Sequence, residues 1–405
     1  MQNRSQPRWT ATECLLQVLI ADLPVSEADE RANDILRTGD VDWSDFAQLC
    51  QFHRVERIVS GRISELNLAQ VPAEFLGTLA LRLKKQIYGA MLRVSNTVKI
   101  AEQFDKAGIQ YVLMKSDAVG ERYYERPIER ASKDIDLLIN SADYYRAFAL
   151  LEELGFRQNS PHFVPDEKCF GMLEALRAYA EFEDGKGTSV ELHWRLFRNP
   201  ELLKDVGRNF EKTTETIRLA GRPVRVLSAP RQLVYLCCHG VHHSWFRLKW
   251  MADLHRVLNQ LSQQELADAL KIADENRVRG VVEDAMAICH ALLEPHSEKV
   301  FPNARQANVQ RYQKIIKMRM EHNQGKFTNL VDVVRRERNQ FSIFHGSRYR
   351  LWVAILFLTE LDDVDRFKLS RKWLWFYALV GPFRRVVRSF FRYLGHLFGQ
   401  KSNAN

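Results

Sequence analysis

Apolar residues keep helical spacing toward both ends of the chain and alternate with polar ones in the middle, and that change of period sets the expected architecture. Residues 9–66 read as several short helices. In Ser26-Glu-Ala-Asp-Glu-Arg-Ala-Asn-Asp-Ile-Leu, a candidate cap is followed by early acids, with Asp29 in a weaker form of the capping box. Pro72 to Phe104 has helical spacing with few breakers, which predicts one long helix ended by Gly108. Between 95 and 228 the periods mix. Strands are expected near 110–114, 134–139, 178–183, 188–194 and 223–227, and helices near 117–124 and 141–154. Residues 157–170, with two prolines, read as a loop or an irregular strand. Helical spacing returns at Ala229-Pro230, runs to about 294, and recurs at 305–320 and 346–358, with breaks at 323–327 and 345–347. There is no internal repeat and no low-complexity segment. The expected organisation is a helical N-terminal domain (1–94), a mixed α+β core (95–228), a helical C-terminal domain (229–365) and a basic, aromatic, amphipathic tail (366–405).

A chain of 405 residues is long enough for two or three domains, and 46% hydrophobic with 27% charged residues is an ordinary soluble composition. Six cysteines (14, 50, 169, 237, 238 and 289) form no CxxC pair, so they read as reduced thiols of a cytoplasmic protein. No signal-peptide apolar region follows the first residues, and no apolar run reaches the length of a membrane span. The net charge of +9 is placed unevenly: residues 366–405 hold nine Lys/Arg and no acid, while the remainder holds 50 basic and 50 acidic residues. The basicity therefore belongs to the tail, which argues against a general nucleic-acid-binding protein, whose basic stripe lies on the folded site. A tail mixing Trp, Phe and Tyr with Arg suits either peripheral contact with an anionic membrane surface or a terminal helix packed on its own protein.

The candidate chemistry lies in Ser132-Lys-Asp-Ile-Asp-Leu-Leu-Ile139. On a strand, residues i and i+2 share a face, so Asp134 and Asp136 point the same way while Ile135 enters the core. Paired carboxylates repel unless a cation lies between them, and the hard cation that suits carboxylates and phosphate together is Mg²⁺, or Mn²⁺ in its place. The tripeptide alone also fits a strand entry with solvated acids. Its neighbourhood adds a strand ending in Lys115, and a hairpin signalled by Asp184-Gly185 whose second strand, Thr188-Ser-Val-Glu-Leu-His-Trp194, places Glu191 and His193 on one face. Three carboxylates from two strands are what two divalent ions and a triphosphate require.

Lys115, Arg130, Asp-Ile-Asp-Leu-Leu-Ile and Val-Glu-Leu-His-Trp together resemble the uncharacterised bacterial nucleotidyltransferases of the DNA polymerase β superfold. Tyr144–Phe156, Leu236–Trp245 and Arg247–Leu254 fit the same family, so the resemblance runs from about 95 to 260 and more weakly to the end. The family usually places glycine after the lysine and near the acid strand; this chain has Ser116 and Ser132-Lys133 there. The resemblance implies a polymerase β-like core with a small mixed sheet. It also implies transfer of a nucleoside monophosphate from an NTP, most simply ATP, to an unknown small-molecule, glycan or protein acceptor.

Asp134, Asp136 and Glu191 are the expected metal ligands and catalytic residues, with Glu181 or Glu183 replacing Glu191 if the register differs. Lys115, Ser116, Arg130, Lys133 and His193 are the expected nucleotide contacts. The alternatives are a structural ion pair for Lys115, a loop-anchoring salt bridge for Arg130, and for His193 a strand-end backbone hydrogen bond, with general base or partner to a metal ligand as its further roles. His239, His242 and His243 have the i, i+3, i+4 spacing of a zinc site but no HExxH pattern, so packing against the sheet beside the cleft is the alternative. Trp245, Trp250 and Asp253 read as helix packing and an orienting carboxylate. A catalytically degenerate fold that binds nucleotide or acts as a scaffold is the second function these residues allow.

Overall fold

A computed structural model describes residues 7–68, 70–206, 209–294, 301, 303–322, 346–359 and 361–384. Five helices come first: α1 (Ala11–Ile20), α2 (Val25–Thr38), α3 (Trp43–His53), α4 (Glu56–Glu65) and α5 (Ala73–Lys106). The α2 cap differs from expectation. The helix starts at Val25 on Pro24 without a side-chain cap, and the Asp29 carboxylate accepts the Asn67 amide at 2.8 Å instead. The long helix α5 runs unbroken through the expected 94/95 boundary.

One seven-stranded mixed sheet follows, in the order β3-β4-β5-β2-β1-β7-β6. Its strands are β1 (Tyr111–Leu113), β2 (Asp134–Ile139), β3 (Arg157–Ser160), β4 (Tyr179–Glu183), β5 (Ser189–His193), β6 (Thr214–Leu219) and β7 (Arg222–Leu227). Helix α6 (Asp117–Tyr123) follows β1, α7 (Tyr144–Glu153) follows β2, and α8 (Glu167–Leu176) and the short α9 (Phe210–Thr213) complete this region. The 141–154 helix divides into a 3₁₀ turn at Ser141–Asp143 and α7. The 157–170 region contributes β3, whose pairing shifts between Gln158 and Ser160, and the start of α8. β6 and α8 were not among the expected elements. β6 is an edge strand reading Thr-Glu-Thr-Ile-Arg-Leu, too polar for a clear alternation. It is joined to β7 by a two-residue turn, Ala220-Gly221, with φ of 47° and 82°.

The alternation in β2 sorts its residues between two cores. Ile135, Leu137 and Ile139 enter the cluster with Ile100 and Phe104 of α5 and Ala147 and Leu151 of α7. Leu138 enters the other cluster with Val112, Met114 and Leu233. Each such buried aliphatic stabilises by about 1.5–3 kcal/mol, which fixes the strand's facing and turns Asp134 and Asp136 to the side opposite Ile100 and Phe104. Helices α10 (Ala229–His242), α11 (Leu248–Gln260), α12 (Gln263–Glu275), α13 (Arg279–Leu293) and α14 (Gln306–His322) pack on that second side. Of two further helices, α15 (Ser347–Leu358) adds Tyr349 and Val353 to that second cluster, and α16 (Leu361–Phe367) packs Val364 on Met172 and Leu176 of α8. In the tail, Trp375, Leu379 and Phe383 are 59%, 69% and 72% exposed, and residues 385–405 lie outside the described residues. The expected break at 323–327 also lies outside them. Among the described residues no helix is long and apolar enough to cross a membrane.

Candidate active site

β2 and β5 run parallel, with Asp134 opposite Ser189, Asp136 opposite Glu191 and Leu138 opposite His193. This register brings Asp136, Glu191 and His193 together, with one ligand atom from each within 4.8 Å of the others. His193 Nε2 lies 3.0 Å from Glu191 Oε2 and 3.6 Å from Asp136 Oδ1. Asp134, expected as a ligand beside Asp136, stands one pleat step outward and lines an open cleft. Glu181 sits directly opposite Glu191 on the β4 side and also lines the cleft, as does Glu183. Two carboxylates and an imidazole form a donor set able to hold a divalent cation. Asp136 is fully buried, its Oδ2 bonded by the Ser116 hydroxyl, so an ion held here shares Oδ1 with the neighbouring cationic groups.

Lys115 follows β1, which pairs with β2, and its ammonium lies 2.7 Å from Asp136 Oδ1 and 3.8 Å from Glu191 Oε2. The structural ion pair left open for Lys115 is therefore formed. Burial works against the charge on Asp136, but Lys115 and His193 outweigh it and hold the carboxyl well below the usual range. Burial pushes Glu191 up, aided by Asp136 and opposed by Lys115. His193 is pulled down by burial and raised further by its hydrogen bonds to the two carboxylates, with a net upward shift. Lys115, Asp136, Glu191 and His193 form one ionic cluster.

Ser116 takes the place the family usually gives to glycine, and its backbone keeps a glycine-like conformation at φ 63°, ψ −127°. Its hydroxyl donates to Asp136 Oδ2 at 2.5 Å, contacts the Asp134 carbonyl at 2.8 Å, and so joins β1 to β2 beneath the cleft. Arg130, expected among the nucleotide contacts, is 4% exposed and turned elsewhere. It forms a two-pronged ion pair with Asp253 of α11 and donates to the Ser116 carbonyl at 2.6 Å. Of its two readings the structure takes the anchor, with Asp253 as the orienting carboxylate.

The cleft measures about 830 Å³, large enough for a nucleotide. Its floor carries Asp134, Glu181, Glu183 and Glu191, with Lys133 and Ser132 at the loop before β2. The opposite wall was not read from the sequence: Arg54, Arg57, Lys85 and Arg93 come from the N-terminal helices, and Arg247 from the start of α11. Arg57, Lys85 and Arg93 lie on helices and Arg54 and Arg247 at helix ends, where sequence alone cannot separate a cleft wall from a solvated face. Two neighbours on α5 then brace the site. Arg93 binds Asp117 two-pronged and the Ser132 carbonyl at 2.9 Å. Asn96 donates to Asp184 and Thr188 of the β4–β5 turn, at 3.0 and 2.8 Å. His239 and His243 pack against Trp250, with ring centres 5.0 and 5.2 Å from it, and His239 lies close enough to Lys115 and Asp136 to feel their charge.

A family model described as an uncharacterised nucleotidyltransferase matches residues 39–294, well over half of the chain. The match begins ahead of the region of resemblance and takes in α3, α4 and the cationic wall. No curated protein matches. Among solved structures, an antigenic nucleotidyltransferase-like protein from Paracoccidioides brasiliensis is similar at 17% identity and a TM-score of 0.30, covering 49% of this chain and 93% of that one.

Proposed function

The chain belongs to this uncharacterised nucleotidyltransferase family, and from that premise we propose that it moves a nucleoside monophosphate from an NTP, most simply ATP, to an acceptor. The acceptor is a hydroxyl or phosphate on a small molecule, glycan or protein. Its oxygen bonds to the α-phosphorus as the bond from that phosphorus to the bridging oxygen breaks, and pyrophosphate leaves. One observation carries the reading: the donor atoms of Asp136, Glu191 and His193 converge within 4.8 Å on strands that border a cleft of nucleotide size.

Asp136 and Glu191 would hold Mg²⁺ or Mn²⁺, with His193 as a third donor that favours Mn²⁺. When bound, such an ion supplies positive charge to the phosphates and acidifies the attacking hydroxyl. The chain's own groups do the rest. Asp134 faces the cleft from the same strand and accepts a proton or orients the acceptor there. Lys115 keeps Asp136 ionised. Ser116 and Arg130 fix the β1–α6 loop against β2.

A second reading, a degenerate nucleotide-binding or scaffold module, is favoured by the Lys115 ammonium, which already answers both carboxylates. Incubation with labelled ATP, CTP, GTP and UTP, Mg²⁺ or Mn²⁺ and cell extract as acceptor source separates the two. Label transfer by the wild type that Asp136→Ala abolishes supports the enzyme. Nucleotide binding without transfer under every condition supports the module.

A further inference from the structure

Arg57 of α4 is a buried cation with no carboxylate closed on it. It is 5% exposed. Its Nη2 donates to the Arg130 carbonyl at 2.9 Å, and its Nε and Nη1 meet no acceptor among the described residues. The acids that act on it are engaged elsewhere: Asp117 with Arg93, and Glu56 with Arg82 and Gln86. Burial first, then the like charge of Arg93 and Arg130, push the guanidinium down to about 10, so it stays protonated at neutral pH. Unmatched donors on a buried charge are costly to keep.

Arg57 lines the same cleft as Asp134 and Glu191, and Arg54 and Lys85 stand on that wall with it. With one Nη2 hydrogen on the Arg130 carbonyl, one edge of the guanidinium, the second Nη2 hydrogen together with Nε–H or Nη1–H, is left to match two oxygens of one phosphate. We propose that Arg57, flanked by Arg54 and Lys85, binds the polyphosphate chain of the nucleotide, so that the N-terminal helices supply the phosphate clamp and the sheet supplies the acidic floor. The identity of the anion rests on the nucleotidyl-transfer reading; the unmatched donors do not.

The test is calorimetric titration of the full chain with inorganic tripolyphosphate in EDTA, which removes any metal and any turnover. Saturable binding by the wild type is expected, weakened about tenfold in Arg57→Ala and about fivefold in Arg57→Lys, whose ammonium lacks the fork. Melting is recorded for each variant, because Arg57 also holds the Arg130 carbonyl. If Arg57→Ala does not fold, Arg57→Lys, which keeps a donor for that carbonyl, carries the comparison. Equal affinity in wild type and variant, or no saturable binding by the wild type, overturns the clamp. Transfer activity is scored separately. Transfer abolished by Asp136→Ala, alongside unchanged tripolyphosphate affinity in the Arg57 variant, leaves the enzyme and removes the clamp. Arg57-dependent binding with no transfer from any NTP leaves the clamp and removes the enzyme.

Discussion

Arg130 and Asp253 lie 123 positions apart in sequence and meet in a two-pronged ion pair at 2.9 and 2.8 Å, with both side chains buried. Tyr124 adds a hydrogen bond to Asp253 at 2.8 Å. Removing one partner of such a pair strands the other charge away from water. Asp253→Ala is expected to cost about 3–5 kcal/mol, and Asp253→Asn less, because its carboxamide oxygen still accepts. Urea unfolding midpoints measure both. A loss for Asp253→Ala below about 1 kcal/mol, the scale of a surface pair, would contradict the anchoring role.

Ser116 sets a strained backbone against a useful hydroxyl. Glycine at this position releases strain of about 1–3 kcal/mol but forfeits the hydroxyl that donates between Asp136 and the Asp134 carbonyl. Alanine forfeits that hydroxyl and keeps the strain. Ser116→Ala is therefore expected to melt below Ser116→Gly; the opposite order in thermal denaturation would show that φ 63° is not costly here.

A cation held by Asp136, Glu191 and His193 stabilises the folded state by mass action, about 2.7 kcal/mol at one hundred times its dissociation constant. Calorimetric scans with and without Mn²⁺ are expected to show an upward shift for the wild type and almost none for Glu191→Gln. The same shift in both proteins would move the ion elsewhere.

His53 makes acid stability measurable at one residue. Its ring is buried, Nδ1 accepts the Leu248 amide at 3.2 Å, and burial, then Arg247, push its pKa down to about 3. The unfolded chain takes up a proton near pH 6.5 that the folded one refuses. The stability contribution is whole above that pH and is lost toward pH 3, at up to about 1.4 kcal/mol per unit. His53→Gln is expected to flatten this slope between pH 6.5 and 4.5 in urea melts at stepped pH. An unchanged slope would assign the acid sensitivity to other groups.

The facing of β2 was legible because Ile135, Leu137 and Ile139 alternate with Asp134 and Asp136, and one buried face dictates the other. The pairing of Asp136 with Glu191 was not, since a parallel register between strands about fifty residues apart is set by tertiary packing, not by local pattern. His193 was visible as a neighbour of Glu191 on one face, yet its place as a third donor beside Asp136 needed that register. The two readings of Arg130 separated only when α11 delivered Asp253. Arg57 and Arg93 were hidden for a plainer reason: on a helix a cation facing a cleft and one facing water follow the same spacing.

The helix α5 is one rod of 34 residues, about 50 Å long. Within a single turn, Arg93 and Asn96 tie it to the start of α6, the loop before β2 and the β4–β5 turn. Along the N-terminal half, Leu81 and Tyr88 stand out into solvent. A lever gripped there would swing all three attachments together, so whatever leans on the far arm of this helix reaches the acidic floor through two side chains.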